Sequence, residues 1–383
     1  MNILFLLASA VTTVCRGGIE RSTEVLAREL TRRGNGVRIL VWQGAPDASV
    51  EFPQRVFPCE TPRAAPLNRA LFERTLREEK IDLVVFQCGA GWKFPFPKEI
   101  RALGVPVVSV IHTTPDSFEA RYRVKYSGLS RWWNTWTKRW RQARKYRFNY
   151  DCCARTIVLS KSHKTVLEKF LTRSRIAEGR VAAIANAAPY ACVPEADLVG
   201  KKKELLFVGR MSFAEKRPDL LLRVWTKLQT DFPDWSLRFV GDGDCLPELK
   251  RLAGTLGAER VSFEGFCDPA PYYRDAAIFC MTSAYEGFCM VLVEATAFGC
   301  VPVAFDSFTS IFDIVEDGEN GFIVPAFDLD AYAETLARLM RDDALRERLA
   351  KNALAQIPEK FSPKKIGDAW EALFNEISGN KNR

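Results

Sequence analysis

Two glutamates, Glu286 and Glu294, carry the sharpest chemical signal in the chain. They lie in the segment Ser283-Ala284-Tyr285-Glu286-Gly287-Phe288-Cys289-Met290-Val291-Leu292-Val293-Glu294-Ala295, which follows the apolar run Ile278–Met281 and passes directly into an apolar helical pattern. Their spacing spans about two helical turns, and Glu286 falls in the preceding loop, so the two carboxylates bracket a helix N-terminus. Carboxylates accept hydrogen bonds from hydroxyls, which suits a sugar or a ribose. The N–H groups from Cys289 to Leu292, at the start of the helix, suit a phosphate. Glu286 equally suits a simple N-terminal helix acid. Glu294 is flanked by Val293 and Ala295-Thr296-Ala297, and an acid buried there requires a partner or a task.

Two cations complement the carboxylates. Arg210 follows the apolar run Leu205–Val208, and Lys216 stands six residues further on. At the end of a parallel strand such charges can neutralise a departing diphosphate, although two solvated surface residues would fit the same positions. In the first half of the chain, Gly17-Gly18 lies between an expected strand and helix. It offers either a backbone contact to phosphate or a plain turn, and it lacks the G-x-G-x-x-G spacing of a dinucleotide site. His112 ends the run Val105–Ile111 and serves either as a ligand contact or as a satisfied core histidine. The other histidine, His163, opens a polar helical stretch and is expected at the surface.

These residues need a framework of strands ending at a common edge. Short apolar runs alternate with helical patterns through most of the chain, the mark of parallel β-α-β units. The runs Ile3–Leu7, Val37–Val41, Leu83–Phe86, Val105–Ile111, Thr156–Leu159 and Val181–Ile184 predict strands of a first doubly wound α/β domain, 1–190. The runs Leu205–Val208, Leu237–Val240, Val261–Phe263, Ile278–Met281 and Val301–Ala304 predict a second, 200–363. Between them, Asn186–Lys203 reads as a linker closed by a lysine run, and the last helical stripe, 364–383, is expected to join the first domain. The opening residues read as a buried strand rather than a secretory signal: no basic residue precedes them, despite Ala8-Ser9-Ala10.

Composition narrows the function classes. The chain has 383 residues, 47% hydrophobic and 27% charged, which is a globular profile. Its formal charge of +8 comes from 55 basic and 47 acidic residues. Ten of those basic residues and none of the acidic ones lie between Ala120 and Tyr150. The remainder of the chain is close to neutral, which argues against a generally polyanion-coating protein. Eleven cysteines with no C-x-x-C pair, and only two histidines, predict neither a disulfide framework nor a metal site, and a cytoplasmic setting.

The cationic stretch is also rich in tryptophan: Arg131-Trp132-Trp133-Asn134-Thr135-Trp136-Thr137-Lys138-Arg139-Trp140-Arg141. Trp132, Trp136 and Trp140 recur every four residues, one stripe of a helix, with Lys138, Arg141 and Lys145 off it; together with Arg131, Lys138 and Arg141 they form a candidate membrane or acceptor surface. Three roles fit. The tryptophans could pack into the first domain's core; the helix could lie in a headgroup layer on a membrane surface; or it could bind an anionic, lipid-linked acceptor. Interleaved aromatics and cations also suit nucleic acid, but the segment is embedded in a catalytic-looking domain, and no nucleic-acid partner is expected.

Taken together, the motifs resemble the retaining glycosyltransferases of family 4, the group 1 glycosyltransferases of the GT-B fold. The matching residues are Gly17-Gly18-Ile19-Glu20, His112, Val208-Gly209-Arg210 with Lys216, and Glu286 with Glu294 in an E-x7-E arrangement. Further matches are Ala297-Phe298-Gly299-Cys300-Val301-Pro302-Val303 and Ile314-Val315-Glu316-Asp317-Gly318-Glu319-Asn320-Gly321-Phe322. The resemblance implies an α/β fold of two Rossmann-like domains facing across a cleft, the first on the acceptor side and the second binding a nucleotide sugar. It further implies that Arg210 and Lys216 neutralise the donor diphosphate, Glu286 binds the donor sugar, Glu294 binds the ribose and His112 lies against the transferred sugar. Backbone at Gly17, Gly18 and from Gly287 through Phe288, Cys289, Met290, Val291 and Leu292 would complete the donor site, with no metal or other cofactor. The expected donor is a UDP-hexose or UDP-N-acetylhexosamine, and the expected acceptor a lipid-linked or cell-envelope glycan. The protein would then work as a peripheral protein on the inner face of the plasma membrane. A nucleotide-sugar epimerase of the same fold, or a non-catalytic membrane-surface glycan-binding relative, is the alternative. The sequence departs from the family pattern at Ser307–Asp313, where relatives carry a glycine pair and a Glu, and after Lys216, where Arg217-Pro218 replaces a glycine.

Overall fold

Strands covered by helices on both faces read as continuous apolar runs, because neither face meets water. The central strand β1 (Asn2–Ser9) follows this rule: Ile3, Leu4, Phe5, Leu6 and Leu7 are all fully buried. The computed structural model describes residues 1–12, 17–47, 49–61, 63–87, 92–119, 122, 128–171 and 176–379. They form two compact units, one of Met1–Asp116, Trp132–Pro189 and Pro363–Arg383, the other of Ser117–Arg131 and Tyr190–Ser362.

In the first unit, β1 is joined by β2 (Gly36–Gln43), β3 (Gln54–Val56), β4 (Leu83–Phe86), β5 (Val107–Ile111), β6 (Arg155–Val158) and β7 (Val181–Ala183). The order is β3-β2-β1-β4-β5-β6-β7, all parallel. Its helices are α1 (Gly18–Arg32), α2 (Pro66–Glu78), α3 (Pro97–Leu103), α4 (Gly128–Cys152, from Trp132 on) and α5 (Lys161–Leu171). Strand β3 escapes sequence reading because Gln-Arg-Val is short, polar and at the sheet's edge.

The second unit contains β8 (Lys202–Val208), α6 (Pro218–Leu228), β9 (Ser236–Val240), α7 (Leu246–Thr255), β10 (Val261–Phe263) and α8 (Ala270–Asp275). It continues with β11 (Ala276–Met281), α9 (Met290–Ala297), β12 (Val301–Phe305), α10 (Ile311–Ile314), β13 (Phe322–Val324), α11 (Leu329–Arg341) and α12 (Asp343–Phe361). The parallel order is β10-β9-β8-β11-β12-β13. The expected linker is more structured than its composition suggests. It contains a 3-10 helix, Glu195–Gly200, and its closing lysines Lys202 and Lys203 belong to β8, where Lys202 stands opposite Ala276. Those lysines remain exposed because they occupy the strand's first turn outside the covered core, paired with Asp275 and Asp234.

The final helix, α13 (Pro363–Gly379), packs against α1 and buries Ile366, Trp370, Leu373, Phe374 and Ile377. One side chain fastens the two. Arg33, 12% exposed, donates to Glu29 at 2.7 Å, Asp368 at 2.8 Å, Glu371 at 2.7 Å and the Lys364 carbonyl at 2.7 Å. Opposite Arg33 stands Gly367, where a β-carbon would lie 2.8 Å from the guanidinium. Replacing Arg33 by Met removes four bonds at once, but Glu29 keeps its bonds to Arg32 and Asp368 and Glu371 stay solvated, so it should destabilise the first unit by about 2 kcal/mol. Asp368→Ala, at a 56% exposed partner, should cost less than about 1 kcal/mol. Urea unfolding of the two variants tests the difference, and equal effects would remove Arg33 from this role.

Candidate functional site

Ligands of doubly wound sheets bind at the strand C-termini where the strand order reverses. In the second unit that point lies between β8 and β11, so the loops 209–217 and 282–289 are neighbours. Their backbones are stitched together: the Ala284 N–H donates to the Glu215 carbonyl at 2.7 Å, and Thr282 Oγ1 donates to the Arg217 carbonyl at 2.8 Å. From after β12, Ser307 Oγ donates to the Ser283 carbonyl at 2.5 Å, and Ser310 Oγ to the Gly287 carbonyl at 2.6 Å. The stretch Ser307–Asp313, which departs from the family pattern, thus braces the loop that carries Glu286.

Across this seam Lys216 Nζ donates to Glu286 Oε1 at 2.5 Å, with the two side chains 19% and 9% exposed. Burial opposes the ammonium charge, but the Glu286 carboxylate outweighs it and raises the Lys216 pKa above its ordinary value. Arg210 stands nearby in the same loop, 65% exposed and paired with Glu215. The loop approaches its neighbour closely: a β-carbon at Gly241, where φ is +130°, would lie 2.0 Å from the Gly209 carbonyl oxygen. Only glycine fits there. Arg217, in place of the family's glycine, adopts φ of 51° and donates to Asp219 at 3.0 Å and 3.1 Å. The backbone turn is therefore kept without the glycine.

The N-terminus of α9 follows directly. Phe288 and Cys289 are buried, Phe288 against Phe361, while Met290 and Val291 are half-buried. Burial and the nearby Glu286 push the Cys289 thiol well above its ordinary pKa, so it is not an active nucleophile. Of the N–H groups proposed for a phosphate, that of Leu292 is engaged with the Cys289 carbonyl at 3.1 Å, because the first turn tightens to i→i+3 bonding. Glu294 is 2% exposed and accepts from Tyr273 Oη at 3.0 Å. Burial thus sets it apart from Glu286, whose partner is a cation at the loop seam.

In the first unit the corresponding reversal lies between β1 and β4. Gly17 is the N-cap of α1 with an ordinary extended φ of −110°, and Gly18 is the first helical residue. A β-carbon at Gly17 would fall 2.0 Å from Glu20 Oε2. The glycine therefore leaves room for an acid of the first turn to fold back toward the helix start, a favourable place for negative charge.

His112 follows β5 and Gln87 follows β4; both are buried, and the His112 Nε2–H donates to Gln87 Oε1. Burial lowers the His112 pKa to about 4. An unfolded histidine takes up its proton below pH ~6.5, whereas this one stays neutral until about 4. Stability present above pH ~6.5 should therefore be lost as the pH falls toward 4, by up to about 3 kcal/mol. His112→Gln should flatten that acid limb in denaturant titrations, and an unchanged slope would contradict the assignment.

His163 is not at the surface. It is fully buried and bonded to Thr114 Oγ1 at 3.1 Å. The apolar face of α5 includes Leu167, Phe170 and Leu171, and His163 lies one turn before Leu167 on that face. The alternative that α4's tryptophans pack into the core is also overturned: Trp132, Trp136 and Trp140 are 63%, 53% and 52% exposed. Trp133, which sequence spacing left off the stripe, joins them at 57%. Arg121, Arg123 and Lys125 of the cationic stretch lie outside the described residues. Among the described residues no three His, Cys, Asp or Glu side chains group as a metal site.

Glu215, Tyr273, Gln87, Ser307 and Ser310 escape motif reading. Only the last two carried a signal, as part of a segment that departs from the family pattern.

Two parallel sheets with flanking helices define the GT-B class of fold. The chain aligns with the crystal structure of Anabaena HepE in complex with UDP at a TM-score of 0.77 and 20% identity, covering 98% of this chain and 100% of that one. At the sequence level, residues 16–188 match the model of Glycosyltransferase Family 4 and residues 194–356 that of Glycosyl transferases group 1. The chain belongs to this family. It is 32% identical over 226 residues to an uncharacterized glycosyltransferase of Haemophilus influenzae, covering 58% of this chain and 61% of that protein. It is 27% identical over 244 residues to the GalNAc-alpha-(1->4)-GalNAc-alpha-(1->3)-diNAcBac-PP-undecaprenol alpha-1,4-N-acetyl-D-galactosaminyltransferase of Campylobacter jejuni, covering 63% and 64%. The matches thus span less than two thirds of the length of these curated relatives.

Proposed function

We propose that this protein is a retaining glycosyltransferase that moves a hexosyl or N-acetylhexosaminyl group from a UDP-linked donor to a lipid-linked or cell-envelope glycan. The observation that carries the reading is the Lys216–Glu286 pair at the strand-order reversal of the second unit, with Arg210 in the same loop. A donor diphosphate there would meet an ammonium already fixed and partly stripped of water, and a guanidinium able to reach it from an exposed position. Glu286 would hold sugar hydroxyls, Glu294 would serve the ribose side, and N–H groups at the start of α9 would receive phosphate oxygens. The role of His112 against the transferred sugar is carried over from the family resemblance. HepE, solved with UDP, and the Campylobacter relative, named for an undecaprenol-linked glycan, support the donor and acceptor classes.

In this reading the bond between the anomeric carbon and the β-phosphate oxygen breaks, and negative charge develops on the leaving diphosphate, where Arg210 and Lys216 stabilise it. The acceptor oxygen attacks the same face through an oxocarbenium-like state and passes its proton to the leaving phosphate. Configuration is retained with no protein nucleophile and no metal. The protein would act peripherally at the cytoplasmic face of a membrane, where a lipid-linked acceptor is presented; among the described residues no helix is long and apolar enough to cross one.

Arg210→Ala removes an exposed side chain, so unfolding should be unchanged while kcat/KM falls by about 100-fold or more. Turnover of donor and acceptor equal to wild type would defeat the proposal. In a panel of nucleotide sugars, UDP and one UDP-sugar should raise Tm, since only ligands of the folded state stabilise it. Slow hydrolysis should release sugar of retained configuration. Interconversion of nucleotide sugars would instead mark an epimerase.

A further inference from the structure

The exposed face of α4 is the least conventional surface of the molecule. Leu129, Trp132, Trp133, Trp136 and Trp140 are 87%, 63%, 57%, 53% and 52% exposed. At about 100° per residue they share an arc of about 100° on one side of the helix. Three of the rings form a continuous patch: Trp132 and Trp136 stack with centroids 6.4 Å apart, and Trp133 lies 5.7 Å from Trp136. Contiguous apolar surface of this kind marks an interaction site.

The helix is fastened at one end. Its buried residues, Gln142, Tyr146, Asn149 and Tyr150, all lie in the C-terminal half. Tyr146 Oη donates to the Pro115 carbonyl at 3.0 Å, Asn149 Nδ2 to the Trp92 carbonyl at 2.8 Å, and Arg180 to the Tyr150 carbonyl at 2.5 Å. The tryptophans occupy the other half, a span of about 17 Å from Leu129 to Trp140.

Charge decides the occupant. At the same spacing of about 100° per residue Arg139 and Arg144 border the tryptophan arc and Arg147 extends its line, all three exposed, while Arg131, Lys138, Arg141 and Lys145 lie on the other sides; the helix's only acid is Asp151 near the C-terminus. Arg144 stacks on Trp140 at 4.7 Å, which brings a cation to the edge of the apolar patch. A second copy on this face would set cations against cations. An anionic headgroup layer meets both demands, taking indole rings at the depth of the glycerol backbone and cations at the phosphates.

Resting on the peripheral-membrane reading above, we infer that the Leu129–Trp140 half of α4 inserts into the interface of an anionic phospholipid bilayer. The cations flanking it select the lipid charge. The helix lies in the surface and does not span it.

The test uses the full chain with vesicles of phosphatidylcholine alone or with phosphatidylglycerol, some carrying brominated acyl chains. Wild type should bind the anionic vesicles at least 10-fold more tightly, and bromine should quench its tryptophan emission. Replacing Trp132, Trp133, Trp136 and Trp140 together by Ser should abolish the quenching and weaken binding at least 10-fold at both low and high salt. The R139Q/R144Q/R147Q variant should lose lipid selectivity and retain quenching where it still binds. Circular dichroism and the Tm shift with UDP confirm that each variant is folded and report donor binding separately. A Tm shift without vesicle binding would overturn this inference alone; vesicle binding without a Tm shift would count against the donor assignment alone. Binding without quenching would overturn insertion in favour of surface adsorption. Tryptophan-dependent self-association in sedimentation velocity, or displacement from vesicles by a soluble anionic glycan, would assign the face to a second copy or to the acceptor instead.

Discussion

An ammonium held against a carboxylate in a largely buried seam constrains everything around it. Lys216 and Glu286 are 70 residues apart in sequence and come from loops after two different strands. They meet only because β8 and β11 are neighbours in the sheet, with β11 reached after a crossover. Neither side chain tolerates losing its partner, since an unmatched charge at this depth is costly. The serine and threonine bonds to the surrounding carbonyls, and the backbone approach at Gly241, hold the loops at the separation the pair needs. An arrangement fixed in advance is also what stabilises developing charge without rearrangement during reaction. In the proposed reaction the same contacts would serve the chemistry as well as the fold.

Much of this framework was legible in the residues. Strands buried on both faces announce themselves as apolar runs, and the runs at Leu83–Phe86 and Val261–Phe263 match the observed strands residue for residue. What escaped mostly lacked apolar contrast: β3, Gln-Arg-Val, is a polar edge strand, and β8 begins in a lysine run that composition assigns to a linker. β13 is apolar but only three residues long; the equally short β10 is legible nonetheless. His163 was misread for a related reason. Its neighbours are polar, but burial follows the phase of the helix, and His163 shares the face of Leu167 and Phe170.

The site shows the same division. Arg210, Lys216 and Glu286 could be named from spacing after strands. Their partners could not, because Glu215, Ser307 and Ser310 act through hydrogen bonds to loop positions that no periodicity encodes. Glu294 was expected to have a partner because of its apolar flanks, yet nothing in the sequence points to Tyr273. For α4, spacing revealed a tryptophan stripe but not its orientation. That depends on which residues of the opposite face find partners in the first unit, and Gln142, Tyr146 and Asn149 supply the answer.

The packing of α13 on α1 has a consequence for synthesis. The first unit is assembled from both ends of the chain: α1 packs on β2 as well as on α13, so the part of α1 that faces α13 has no cover until Trp370 and Phe374 have emerged. The second unit, apart from the short segment Ser117–Arg131, is contiguous from Tyr190 to Ser362. On a ribosome, domains fold as their residues become available. The domain that begins first is thus the last to be completed, and the later one can settle while the earlier still waits for its closing helix.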